Sequence, residues 1–188
     1  MTALTPANQL TLLRMVLIPA FVILVLYSHF GWALTVFVTA GVTDGLDGLL
    51  ARRLGQKTQL GAWLDPMADK LLLVTTFVVL SLPGMGLTNR LQVWLTVLII
   101  SRDVVIVLTV AIVNLAIGPR TFAPSIFGKI ATATYILTAV VTMLFNYLGY
   151  HSPIVDGFVY ASLVITLVSS LHYISHAARI IDAPGASS

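Results

Sequence analysis

Cysteine is absent from the 188-residue chain. Its absence excludes disulfides and thiolate metal sites but does not fix a redox compartment. Charge is scarce as well: Asp, Glu, Lys and Arg together make up 9%, against about 25% in an ordinary soluble domain. The seven acids are all aspartates. A soluble fold of this size needs a charged exterior, and this chain cannot supply one. Apolar residues reach 58%, where about 45–50% is usual, and the mean hydropathy is +0.99. These figures exclude a soluble globular enzyme, a disordered chain and a disulfide-stapled secreted module. What is left is a polytopic membrane protein. The net charge of +3 does not point to a nucleic-acid partner. In a membrane protein the basic residues mark the cytoplasmic side, with its anionic lipids and phosphate groups.

Six apolar runs, at about 12–30, 32–43, 66–82, 93–117, 126–148 and 154–176, predict an all-α protein with six transmembrane helices. The second run is too short alone and is expected to continue through 41–54, which places charged residues on its end. Pro19 is expected to kink the first helix, as membrane helices tolerate. The N-terminus has no basic region and no small-residue cleavage site, so the first run is expected to stay as a span. One domain is expected over 1–181, with a short disordered tail at 182–188. Arg52, Arg53, Lys57, Arg120, Lys129 and Arg179 fall on the same side of this plan, and Arg90 stands opposite. The positive-inside bias therefore puts both termini in the cytoplasm.

Four of the seven acids lie between residues 44 and 69. Asp44 and Asp47 are spaced i, i+3, and Asp65 and Asp69 i, i+4, so each pair lies on one helix face a turn apart. One pair ends a descending helix and the other begins the next ascending one. Four ionised carboxylates facing each other in a poorly hydrated place repel, so either some are protonated or cations lie between them. All-oxygen ligands at an open site suit Mg²⁺ or Mn²⁺, and two bridged metals are a common device of phosphoryl chemistry. Gly48, Ala51 and Gly61 remove bulk around the acids, and Arg52 offers a planar fork to a phosphate. A purely interfacial role, with the acids paired to Arg52, Arg53 or Lys70, fits one aspartate better than four at these spacings.

From Asp44 to Asp69 the chain reads D-x2-D-G-x2-A-R-x8-G-x3-D-x3-D without departure. It resembles the CDP-alcohol phosphatidyltransferase family, and the six-helix plan resembles that family's fold over nearly the whole chain. The resemblance implies transfer of a phosphatidyl group from CDP-diacylglycerol to an alcohol, with release of CMP. It implies that Asp44, Asp47, Asp65 and Asp69 bind two divalent cations, Mg²⁺ or Mn²⁺. Asp69 matches the general base, and Asp47, Gly48, Ala51, Arg52 and Gly61 match the CDP site. It further implies a homodimer in the cell (inner) membrane, with its active site facing the cytoplasm.

Three regions bear on the acceptor. The stretch from Asn8 through Thr11 to Arg14, followed by Pro19, resembles the opening of phosphatidylglycerophosphate synthases and the related cardiolipin synthases. Asn8 or Thr11 fits a helix cap equally, and Arg14 either snorkels to the interface or contacts a phosphate. Arg102, beside Asp103 inside the fourth run, is either half of a structural ion pair or part of the acceptor wall. Neighbours on a helix do not face each other, so each is expected to need its own partner. Lys129 and Arg120 either anchor the cytoplasmic face or bind the acceptor's phosphate. Together these features favour the phosphatidylglycerol branch. Within it the N-terminal pattern suits glycerol 3-phosphate, the acceptor expected here because short single-domain chains of this type most often use it. Ser101-Arg102-Asp103 and the Pro-Ser-x-x-Gly-Lys run resemble cardiolipin synthases that use phosphatidylglycerol, the alternative. A small cation transporter is a remote alternative, because the acids gather at one face while the far halves of the runs are almost purely apolar. His172 and His176, spaced i, i+4, are expected to pack rather than bind metal.

Overall fold

In the computed structural model the backbone is described for residues 6–54, 59–117 and 125–182, and side chains for 11–43, 67–112, 115 and 125–175. Six helices follow in order: α1 (Pro6–Leu26), α2 (Phe30–Leu54), α3 (Gln59–Ser81), α4 (Val93–Ile117), α5 (Ile126–Leu148) and α6 (Pro153–Asp182). The fourth and fifth apolar runs coincide with α4 and α5. The second does continue through 41–54 as one helix, α2. Asp182 ends α6 rather than opening a tail, and 183–188 lie outside the described residues. Asn8 and Thr11 are inside α1, which begins at Pro6, so neither is its cap. The helix runs on through Pro19.

Packing follows from where the small and aromatic residues fall. On α2, Ala33, Phe37 and Ala40 are buried at i, i+4 and i+7, a single stripe on a 3.6-residue helix. Ala131, Tyr135 and Ala139 form a similar stripe on α5 at i, i+4 and i+8. Alanine lets backbones approach closely where lipid supplies no hydrophobic drive between helices. α1 packs on α2 and α3, these two meet α5, α5 lies along α6, and α6 and α3 both contact α4. Phe21 of α1 meets Phe37 of α2 with ring centroids 6.0 Å apart, and Phe77 of α3 meets Tyr135 of α5 edge-on at 6.0 Å.

The distribution of polarity is the reverse of a soluble protein's. Thr11, Arg14, Thr138, Thr142, Ser162 and Ser169 are buried, while Val16, Ile23, Val107, Leu115, Val164 and Leu171 face outward. Hydroxyls in the interior are satisfied across helices: Thr138 Oγ1 lies 2.8 Å from Ser162 Oγ, and Tyr135 OH 2.6 Å from Thr166 Oγ1. Among the described residues three stretches are long and apolar enough to cross a membrane: Val93–Ile112, Ile126–Leu148 and Pro153–Ser175. Thr11–Leu26 and Phe30–Thr43 are apolar but shorter. Among the described residues the expectation of six spans is met for α4, α5 and α6. Asp44, Asp47, Asp65, Asp69 and Lys70 occupy the facing ends of α2 and α3.

The end remote from these acids is closed by neutral groups. The connection after α3 turns through Gly84 and Gly86, both at positive φ (81° and 63°), a conformation that glycine reaches without a Cβ clash. It then returns to α3 through a bond from Leu91 N–H to Leu80 O at 3.0 Å. Buried Asn89 and Asn146 pair reciprocally: Asn89 N–H donates to Asn146 Oδ1 and Asn146 Nδ2 to Asn89 O, each at 2.9 Å. Asn89 Nδ2 also donates to Tyr150 O, and Ser152 N–H donates to Asn89 Oδ1. The α3–α4 connection is thereby tied to the start of α6.

Candidate active site

The helical backbone spans all four clustered aspartates, Asp44 and Asp47 on α2 and Asp65 and Asp69 on α3. Each pair shares a helix face, as its spacing requires. Only residues 55–58 separate the two helices, so the carboxylate-bearing ends belong to one end of the bundle. Gly48, Ala51, Arg52 and Gly61 also sit in helical backbone. Their surroundings, and the side chains of Asp44, Asp47 and Asp65, lie outside the described residues.

Asp69 is described in full. Its side chain is 45% exposed, and Arg14 Nη1 of α1 donates to its Oδ1 at 2.5 Å. Arg14 itself is wholly buried, so the snorkelling expectation is corrected: the guanidinium is held inside the protein, where a carboxylate partner offsets the loss of hydration. Asp69 also borders a cavity of about 150 Å³. Phe37, Ala40 and Gly41 of α2, Leu72 and Leu73 of α3, and Thr132 and Ile136 of α5 are the other described residues of its lining. Gly41 keeps the α2 wall open, since a Cβ there would meet nothing within 4 Å. Among the described lining residues Asp69 is the one ionisable group on an otherwise nearly apolar wall.

A second charged group continues from the next residue. Lys70 Nζ lies 3.1 Å from Asp103 Oδ2, and Arg102 Nη1 lies 2.8 Å from Asp103 Oδ1. The neighbours on α4 therefore do pair, against the expectation that each needed a partner elsewhere. The flexible arginine stem bends back far enough for its planar head to reach the adjacent carboxylate. Arg102 Nη2 donates to Ser169 Oγ of α6 at 2.8 Å, and a Cβ at Gly128 would come within 3.4 Å of it. Glycine at the start of α5 thus leaves room for the guanidinium. Lys129, one residue on, is exposed, and Arg120 lies outside the described residues. Ser125 caps α5, its Oγ accepting from Gly128 N–H at 3.1 Å. His172 stacks against Phe127 with ring centroids 4.7 Å apart, in keeping with packing.

Among the described residues no group of three or more His, Cys, Asp or Glu is placed to hold a metal. Three of the four carboxylates at issue lie outside that set. Four aspartates make an all-oxygen donor set, and hard divalent cations fit it.

A family model described as CDP-alcohol phosphatidyltransferase matches residues 4–172. The chain belongs to that family. The match takes in α1 to α5, most of α6, and the aspartates and arginines from Arg14 to Asp156. This phosphatidyltransferase is 35% identical over 187 residues to a probable phosphatidylglycerophosphate synthase of Mycobacterium tuberculosis, covering 93% of this chain and 82% of the relative. It is 36% identical over 178 residues to a CDP-diacylglycerol–glycerol-3-phosphate 3-phosphatidyltransferase of Sodalis glossinidius, covering 90% and 92%. A putative cardiolipin synthase of Mycobacterium tuberculosis is 36% identical over 138 residues, covering 71% of this chain and 62% of the relative. Sequence reasoning found the motif of the phosphatidyltransferase and Arg14, but it missed the bond between Arg14 and Asp69. The signal for it was the presence of one basic residue inside the first apolar run, where an unpaired charge is costly.

Proposed function

We propose that the protein transfers the phosphatidyl group of CDP-diacylglycerol to the primary hydroxyl of glycerol 3-phosphate, releasing CMP. The observation that carries this reading is Asp69: the last acid of the family's motif, half exposed at the edge of a cavity between α2, α3 and α5. The relatives aligned over nine-tenths of the chain support glycerol 3-phosphate as acceptor. Phosphatidylglycerol is the second acceptor to test, favoured by the match to a putative cardiolipin synthase over 71% of the chain.

Asp69 takes the proton of the acceptor hydroxyl as its oxygen forms the new bond to the phosphatidyl phosphorus. The bond from that phosphorus to the bridging pyrophosphate oxygen breaks, and its electron pair leaves with CMP. Asp44, Asp47, Asp65 and Asp69 would hold two divalent cations, Mg²⁺ or Mn²⁺, which would offset the charge that develops on the departing phosphate. Asp47, Gly48, Ala51, Arg52 and Gly61 receive the CDP moiety. Lys129, exposed on the first turn of α5, is the best placed of the basic residues to reach a soluble acceptor's phosphate. Arg102 forms the wall behind it, Arg120 adds charge from the preceding connection, and Arg14 stands behind Asp69.

All six helices cross the cell (inner) membrane with both termini in the cytoplasm, and two copies form a homodimer. Outward-facing Val16, Ile23, Val38 and Val42 on α1 and α2 support lipid around the shorter helices as well. Purified protein in detergent, given CDP-diacylglycerol and Mg²⁺ or Mn²⁺, is expected to release CMP only when an acceptor is added. CMP release independent of any acceptor contradicts the assignment.

A further inference from the structure

We infer that Arg14 is the positioning residue of Asp69, acting on the transfer step through that carboxylate rather than by touching the acceptor. The inference rests on the function proposed above for Asp69 and concerns a residue outside the motif. Arg14 comes from α1, whereas the described residues of the cavity lining are drawn from α2, α3 and α5. Its side chain is completely buried, and its Nη1 meets Asp69 Oδ1 at 2.5 Å. The carboxylate therefore meets both a buried guanidinium from α1 and the cavity. An aspartate has a short side chain with several accessible rotamers, and 45% exposure leaves it room to turn. A general base works only within hydrogen-bond reach of the proton that it takes. A charged donor whose own stem is locked by packing removes that freedom, as supporting groups do for catalytic side chains elsewhere.

Lys70, the next residue, is drawn the other way, to Asp103 of α4. The turn of α3 that carries the base is thus held from two sides, by α1 at residue 69 and by α4 at residue 70. Arg14 is the tether that ends on the reacting carboxylate. A guanidinium suits this work because its planar fork fixes direction as well as distance, whereas an ammonium is a point charge.

The test compares wild type, Arg14→Met and Arg14→Lys by steady-state kinetics in the acceptor that the wild type turns over. Arg14→Met is expected to lower kcat about 100-fold, the scale of losing a positioned base. KM for the acceptor stays within about threefold, since no ground-state contact is removed. Arg14→Lys keeps the charge and is expected to recover about tenfold of the loss. A rise in KM with kcat preserved assigns Arg14 to the acceptor's phosphate and overturns the inference, as does unchanged turnover in folded Arg14→Met. If Arg14→Met does not fold, Arg14→Lys alone decides by the same split between kcat and KM. A second readout needs no turnover: melting of the metal-free Arg14→Met, Asp69→Asn and double variants. The double variant is expected to melt no lower than the worse single one, and additive losses contradict the pairing. Failure of wild type to use either acceptor overturns the proposed function while leaving this coupling measurable.

Discussion

The two ends of the bundle bury polar groups in opposite ways. Near the motif, ions do the work: Arg14 with Asp69, then Lys70, Asp103 and Arg102 in sequence, ending on Ser169. Ser81, at the far end of α3, is 12 residues beyond Asp69, or about 18 Å along the helix. There neutral amides suffice, as Asn89 and Asn146 tie the α3–α4 connection to α5 and the start of α6. Both arrangements hold helices together. The neutral one does so without desolvating a charge, which shows that this fold does not need buried ions for cohesion. Buried ion pairs are seldom the most stable solution, and ionisable residues at membrane depth mark function. The charged half is therefore explained by its chemistry and the neutral half by its architecture.

That contrast can be broken by exchanging each group for its uncharged or apolar counterpart. The largest effect is expected for Asp69→Asn: turnover falls by about 100- to 10,000-fold, while the helical circular dichroism spectrum is kept. Turnover near wild type removes Asp69 from the role of base. Next comes Asp103→Asn, which leaves Arg102 and Lys70 without their shared carboxylate. Turnover is expected to fall about tenfold as the Lys70 tether loosens, with a lowered melting temperature, since one partner of a largely buried pair is lost. If only the melting temperature moves, the network around Arg102 is architectural.

At the other end the ranking is reversed. Asn146→Ala strands the backbone groups of Asn89 and is expected to lower stability by about 1–3 kcal/mol, read by thermal unfolding, with kcat unchanged below the transition. A loss of kcat there would erase the distinction between the halves. The smallest effect is expected for Thr138→Val, which removes the hydroxyl contact to Ser162. Hydrogen bonds between membrane helices average about 0.6 kcal/mol, so the shift in melting temperature is slight and activity stays intact.

The motif and the long helices were legible in the sequence, and for good reason. α4 and α5 are uninterrupted apolar runs bounded by polar connections, and hydropathy alone marks such ends. The aspartates stand out because charge is scarce. Pairing was not legible. Arg14, one turn into an apolar run, fits an interfacial anchor as well as an interior ion, and only the packing of α1 on α3 decides between them. The contact between Arg102 and Asp103 escaped a rule that is sound for short side chains, because a long arginine stem can fold back on its own helix. Asn89 and Asn146 gave no pattern at all, since they lie 57 residues apart and meet only when two connections come together.

The central assignment is transfer of a phosphatidyl group to glycerol 3-phosphate at Asp69. It is tested most directly by offering the purified protein CDP-diacylglycerol and Mg²⁺ or Mn²⁺ with glycerol 3-phosphate or phosphatidylglycerol in separate reactions, and weighing the lipid product by mass spectrometry. Phosphatidylglycerophosphate from the first reaction, with its loss in Asp69→Asn, is the expected result. Cardiolipin from the second with no product from the first contradicts it.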